Sequence, residues 1–318
     1  MKIKKKLFLK YVEKIYLIRL TEQEISKRYS EKKMRCPVHL SIGQEAPSAA
    51  LNLILTKSDF AISYHRAHAH YLAKNGSLKK MISELYGKKT GCSAGYGGSM
   101  HLIDKKKKFI GSTAIVSSSI PVGAGFAHTF KKNSKSRVCI YLGDASCEEG
   151  VFFETLNFVV LKKLPVIFFC ENNKFSVFSN MAVRQPQNRK LYKLASAFGI
   201  KSHKLSAANP IEFYLKLNKI IKNNSKPIFI EVDTYRYFEH CGPNEDDHLN
   251  YRPKNEVNYW KTKDPVLLME RYAVKNNIAS LDKLKKMKSK IIRNINDAFM
   301  YAEKSPPPNY NDFLKLSN

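Results

Sequence analysis

Apolar residues in the middle of the chain follow two alternating rhythms. Residues 137–142 (RVCIYL), 165–170 (PVIFFC) and 227–233 (PIFIEVD) are short, nearly continuous apolar runs, the pattern of strands buried on both faces. Between them the spacing turns helical. From 148 to 162, Phe152, Leu156 and Val159 share one helix face, and further helices are predicted over 191–198 and 210–221. Strands alternating with helices predict right-handed crossovers and hence an α/β fold: a central, mostly parallel sheet with helices on both faces. Ligands in such sheets sit beyond the carboxyl ends of the strands. Two loops fall there, Gly143-Asp144-Ala145-Ser146 and Glu171-Asn172-Asn173-Lys174-Phe175.

The N-terminal stretch MKIKKKLFLKYVEKIYLIRL begins like a secretory leader, but Lys10, Glu13, Lys14 and Arg19 interrupt it. An amphipathic helix is therefore expected, with neither a leader nor a membrane span, and a cytoplasmic location. From Tyr251 onward the chain reads as polar, Lys-rich helix ending in Ser305-Pro306-Pro307-Pro308. The expected organisation is one α/β domain over 1–270, including the N-terminal helical segment, and a helical tail over 271–318 packed on the domain or on a partner.

A net charge of +28 raises the question of a nucleic-acid or membrane partner. The lysines are scattered and not interleaved with aromatics, so they read as solvated surface and no such partner is expected. Cys36, Cys92, Cys139, Cys147, Cys170 and Cys241 show no C-x-x-C pair, which argues against zinc ribbons and disulfide scaffolds.

Asp144 and Asn173, each at the mouth of a predicted strand, can converge above the sheet. A carboxylate, an amide oxygen and a nearby backbone carbonyl are hard ligands suited to magnesium, whose octahedral shell is often completed by phosphates. Gly143 is expected to permit a tight turn, with Ala145 and Ser146 opening a helix whose N-terminal amides face the phosphates. Singly, Asp144 reads better as a helix cap and Asn172-Asn173 as a turn.

The stretch GDASCEEGVFFETLNFVVLKKLPVIFFCENNKFS resembles the thiamine-diphosphate motif of the alpha subunits of 2-oxo acid dehydrogenases, the pyruvate and acetoin dehydrogenase first-component family. The likeness spans roughly residues 15–270 and implies the diphosphate-binding type of the thiamine-diphosphate fold. It implies that Asp144, the Asn173 side chain and the Phe175 carbonyl hold magnesium, and that Ala145, where a Gly is usual, and Ser146 contact the diphosphate. AISYHRAHAHYLAKNG is similar to a family segment that would bring His65 and Arg66 to the diphosphate. TAIVSSSIPVGAG resembles the cradle of the aminopyrimidine ring, carrying over Ala114 and Val116. RCPVHLSIGQEA makes His39 a candidate beside the substrate carboxylate. TYRYFEHCGPNEDD resembles the family's mobile loop, which implies that His240 donates to the diphosphate or helps protonate an intermediate.

Alternatives attach to several of these residues. His65, His68 and His70 read alone suggest a zinc cluster, though no carboxylate or Cys accompanies them. His101, in GCSAGYGGSMHL, reads either as chemical or as packing. Gly123-Ala124-Gly125 lacks the third glycine of a dinucleotide fingerprint and is better explained by close helix packing. Glu239, Cys241 and the run Glu245-Asp246-Asp247 depart from the family pattern where substrate and acceptor approach.

The resemblance implies decarboxylation or cleavage of a 2-oxo acid or acetoin, with acyl transfer to a lipoyl carrier. The activating Glu comes from a beta-type partner, so an α2β2 assembly is expected, together with a lipoyl acyltransferase. A transketolase-like lyase or ligase half without a lipoyl acceptor is the alternative enzyme; a non-catalytic nucleic-acid binder is the alternative of another class, against which the intact Asp144 and Asn173 argue.

Overall fold

The computed structural model describes residues 3–34, 36–130, 135–223 and 227–314. The chain runs α1 (Lys5–Tyr29), α2 (Glu45–Ile54), β1 (Phe60–Ser63), α3 (His68–Ala73), α4 (Leu78–Leu85), β2 (Phe109–Ser112), α5 (Ser119–His128), β3 (Val138–Gly143), α6 (Gly150–Leu161) and β4 (Val166–Asn172). The small strands β5 (Phe175–Ser176) and β6 (Ser179–Asn180) follow, then α7 (Met181–Arg184), α8 (Leu191–Ala197), β7 (Lys201–Ser206), α9 (Pro210–Lys222) and β8 (Ile228–Asp233). Four helices close the chain: α10 (Lys254–Thr262), α11 (Pro265–Lys275), α12 (Leu281–Lys304) and α13 (Tyr310–Leu314).

Among the described residues the main sheet has six strands in the order β2-β1-β3-β4-β8-β7, and every neighbouring pair is parallel. The apolar runs are continuous because both faces are covered. On β3, Cys139 and Tyr141 enter the core shared with α1, α2, α9 and α12. Val138, Ile140 and Leu142 enter the opposite core, with α5, α6 and α8. Full burial of a side chain of this size contributes about 1.5–3 kcal/mol.

Three strands lack such a signal. β1 and β2 have four residues each, and β7, KSHKLS, lies at the sheet edge with mostly polar, partly exposed positions. The helices start where local chemistry directs: Asn209 caps α9 by accepting the Ile211 and Glu212 N–H groups, and Pro210 follows at the first turn. The boundary expected at 270 falls within α11, and Ile291, Ile295, Ala298 and Phe299 of α12 join the core that also holds α1.

From β1 the chain moves outward to β2 and then returns past β1 to β3. The crevice outside the carboxyl ends of β1 and β3 is therefore the topological switch point where open parallel sheets bind ligands. Among the described residues no helix is long and apolar enough to cross a membrane.

Candidate active site at the carboxyl edge of the sheet

Asp144 directly follows β3, and Asn173 directly follows β4, its hydrogen-bonded neighbour, with Gly143 opposite Glu171 at the strand ends. The expectation that both stand at adjoining strand mouths is met. The local conformation after β3 differs from the sequence reading. Residues Asp144–Glu148 form a 3₁₀ turn, Glu149 is extended, and α6 starts only at Gly150. The tight turn tucks Cys147 into the core and presents the Ser146 carbonyl to the Ser117 hydroxyl at 2.9 Å. Gly143 has an ordinary φ of −91°, so its freedom is not needed for turning. A Cβ there would meet only the Tyr64 ring, at 4.0 Å, which leaves the crevice side open. By contrast Gly123 is required for packing, since a Cβ would stand 2.7 Å from Ile140, whereas Gly125 faces open space.

Asp144 is 3% exposed, and its Oδ2 lies 2.5 Å from Arg184 Nη2. Burial raises its pKa above the usual carboxylate value, opposed by the Arg184 charge. The Asn173 amide is oriented from both ends: Nδ2 donates to Gln44 Oε1 at 3.0 Å, and Oδ1 accepts the Phe175 N–H at 3.0 Å. Lys174 takes a left-handed φ of 69°, and its N–H bonds to Asn172 Oδ1, making the sharp turn that leads into β5. One carboxylate, held by Arg184, and an oriented amide oxygen thus stand at adjoining strand ends, with the Phe175 carbonyl two residues on. This donor set fits a hard divalent cation.

His65 and Arg66 follow β1. Arg66 is fully buried; Nη1 donates to the Leu40 carbonyl at 2.7 Å and Nη2 to the His240 carbonyl at 3.0 Å. Part of its fork therefore joins the segment before α2 to the loop that carries His240, and burial lowers its pKa to about 10. His39, His65 and His240 come together with ring centroids 4.6, 5.1 and 5.3 Å apart. His39 and His240 are brought together by backbone pairing across the chain, His39 with Gly242 and the Tyr237 N–H to the Ile42 carbonyl. The grouping His65, His68 and His70 is not assembled: His70 lies between Ser63 and Glu171, and His68 between Glu22 and Ser99.

Burial, reinforced by the Arg66 charge, pushes His65 and His240 down to about 3 and His39 further. All three imidazoles are neutral at physiological pH. The unfolded chain would protonate each near pH 6.5, so between about pH 3 and 6.5 the unfolded state binds more protons. Stability should then fall with pH through that window, by on the order of 1 kcal/mol per pH unit per histidine. Urea melts at about pH 7.5 and about pH 5 test this. The loss should shrink in His65→Asn and His240→Asn; equal losses in all three proteins would contradict it.

His101 is exposed: Nδ1 lies 3.0 Å from the Gly97 carbonyl, and Nε2 accepts the Ala114 N–H at 3.4 Å. The glycine-rich loop is organised by Glu84, whose carboxylate accepts the N–H groups of Ser93, Gly95, Gly97 and Gly98 at 2.7–3.2 Å. Val116 is exposed, and Ser117 ties the segment to the Asp144 turn.

The acidic run that departs from the family pattern has an internal use. Asp246 is buried with Arg236 at 3.3 Å and with Arg252 and the Tyr251 hydroxyl. Asp247 pairs with Arg252 at 2.9 Å and Lys261 at 2.6 Å. Glu239 Oε1 accepts the Asn244 N–H at 2.8 Å, and Cys241 is exposed. Arg184, Gln44, Glu84 and Glu171 were not singled out in the sequence. Only Glu171, adjoining the Asn-Asn pair, had a positional signal; Arg184 is one among 55 basic residues.

Fold and site together define an α/β protein with oxygen donors, clustered imidazoles and a buried guanidinium at the switch point of a parallel sheet. The dehydrogenase E1 component family matches residues 13–311. The chain is 34% identical to the pyruvate dehydrogenase E1 component subunit alpha of Rickettsia bellii (strain RML369-C), covering 95% of this chain and 93% of that protein. It is 32% identical to the somatic, mitochondrial form of the same subunit from Homo sapiens, over 94% of this chain and 76% of that protein. The chloroplastic alpha-3 subunit from Arabidopsis thaliana is also 32% identical, over 96% and 73%. The chain belongs to the dehydrogenase E1 family, as its motifs implied, and the match reaches past residue 270 to take in α12.

Proposed function

We propose that the chain is the alpha subunit of a thiamine-diphosphate-dependent 2-oxo acid dehydrogenase, with a pyruvate-type substrate and magnesium as the bridging ion. The observation that carries this is Asp144 and the oriented Asn173 amide at adjoining strand ends, in a chain of this family. Asp144, Asn173 Oδ1 and the Phe175 carbonyl would hold magnesium. His65, Arg66, Ala145, Ser146 and His240 would face the diphosphate, and the backbone at Ala114 and Val116 the aminopyrimidine. When bound, the cofactor supplies a carbon nucleophile for a carbonyl and an electron sink beside it. The neutral rings of His39 and His240 suit donation of an N–H to a substrate oxygen without bringing another full charge beside Arg66.

Several features support an incomplete site. Ile115, Val116, Phe178 and Val183 are exposed on segments tied to the Asp144 turn, apolar surface that a partner would cover. That partner is a beta-type subunit bringing the activating Glu, in an α2β2 assembly that hands the acyl group to a lipoyl acyltransferase in the cytoplasm. The second reading, a transketolase-like lyase or ligase without a lipoyl acceptor, rests on Glu239 and Cys241 in the loop beside His240.

The test is calorimetric titration of thiamine diphosphate into the co-purified pair, with and without magnesium, followed by a screen of 2-oxo acids and acetoin against lipoyl and aldehyde acceptors. Binding should require the metal, and pyruvate-type acids should turn over with the lipoyl acceptor. Metal-independent binding would sink the site assignment; turnover confined to aldehyde acceptors would favour the second reading.

A further inference from the structure

The segment after Asn173 brings to Asp144 a cation that the assigned cofactor site does not use. Arg184 ends α7 and is mostly buried. Its Nη2 lies 2.5 Å from Asp144 Oδ2, its Nη1 bonds to Glu148, and its Nε donates to the Ser179 carbonyl at 3.2 Å. Gln185 Nε2 adds a bond of 2.7 Å to the same Glu148 oxygen. One guanidinium thus spans both carboxylates of the turn after β3, a use for which its planar fork is suited. Asp144 is buried and would be costly to leave charged without such a partner.

A divalent ion on Asp144 would supply that counter-charge itself. Magnesium bonds carboxylate oxygen at about 2.0–2.1 Å, so it would stand within a few ångströms of a guanidinium already in contact with the same group. Two cations so close on one carboxylate repel each other.

We propose that Arg184 is the counter-ion of Asp144 in the cofactor-free chain, and that magnesium with the diphosphate displaces it, coupling cofactor loading to movement of residues 177–185. The inference rests on Asp144 being a metal ligand. What the movement must release is limited: α7 is four residues long and Val177, Phe178 and Val183 are exposed, and the anchors are Met181 against the core, the buried Gln185 and the bond from Arg236 to the Val177 carbonyl. Glu148 remains as a partner once Arg184 leaves Asp144. The apparent affinity for the metal is then lower than the site would have without the competing arginine.

The experiment uses the full chain co-produced with its partner subunit, as wild type, Arg184→Gln, Arg184→Lys and Asp144→Ala. Magnesium is titrated calorimetrically at fixed thiamine diphosphate, and amide hydrogen exchange is followed over residues 177–185. Half-saturating magnesium should fall about tenfold in Arg184→Gln and a few-fold in Arg184→Lys, which keeps the charge but not the fork. Loading should change exchange over 177–185 in the wild type, and the cofactor-free Arg184→Gln protein should already resemble the loaded state there. Unchanged or weakened metal affinity in the Arg184 variants, with binding lost in Asp144→Ala, overturns the proposal and leaves the ligand assignment standing. So does wild-type exchange over 177–185 that does not respond to loading, a result that needs no variant to fold. Normal metal binding by Asp144→Ala overturns the ligand assignment instead.

Discussion

Replacing Asp246 by Ala is expected to lower the unfolding free energy by about 3–5 kcal/mol, the cost of stranding buried guanidinium groups. Arg236, Asp246 and Arg252 are at most 4% exposed, and Asp246 is the carboxylate shared by both arginines. Arg252 would keep Asp247 as a partner at 2.9 Å. Arg236 would keep only neutral acceptors, among them the Val177 carbonyl and the Tyr251 hydroxyl at 2.7 Å each. The loss therefore falls mainly on Arg236. Urea unfolding reads it directly, and a loss below about 1 kcal/mol would mean that Asp247 or water replaces the missing charge. Arg236→Met combined with Asp246→Leu should recover much of the stability, because removing both charges leaves neither uncompensated. The same ions hold the loop carrying His240, so the single variant should also weaken cofactor binding.

Asp144→Ala separates folding from function. The raised pKa of Asp144 means that the folded environment disfavours its charge even with Arg184 present. The folded state holds that proton more tightly than the unfolded chain, so ionised Asp144 costs stability at neutral pH. The cofactor-free variant should accordingly be about as stable as the wild type. Added magnesium and thiamine diphosphate should raise the wild-type stability by about 2.7 kcal/mol at a hundredfold excess over Kd, and that of the variant by almost nothing. Activity of the variant paired with its partner should fall by at least about a hundredfold, since loss of groups merely supporting a ligand already costs ~10–100-fold. Thermal melts with and without cofactor, together with turnover, decide it; a full ligand-induced shift in the variant would remove Asp144 from the metal site.

The central strands and the two loops at their carboxyl ends were legible from the sequence because β3, β4 and β8 are buried on both faces, which forces unbroken apolar runs, and because the loops holding Asp144 and Asn173 directly follow β3 and β4. β7 was not, since an edge strand carries polar residues on exposed positions, and β1 and β2 are too short for any period to show. Whether α12 packs on the domain or on a partner was left open, since a helix burying one stripe and exposing lysines elsewhere fits both until Ile295 and Phe299 are seen in the core with α1. The sequence by itself determined the fold class, the family and the Asp144–Asn173 pair, all carried by residues near one another along the chain. Only the tertiary structure decided that His39, His65 and His240 share one wall, that Arg66 is spent partly on backbone carbonyls, and that Arg184 reaches Asp144. Those groupings depend on loops packed against one another, and loop packing follows from the summed geometry of the chain, which leaves no period or spacing in the sequence to read.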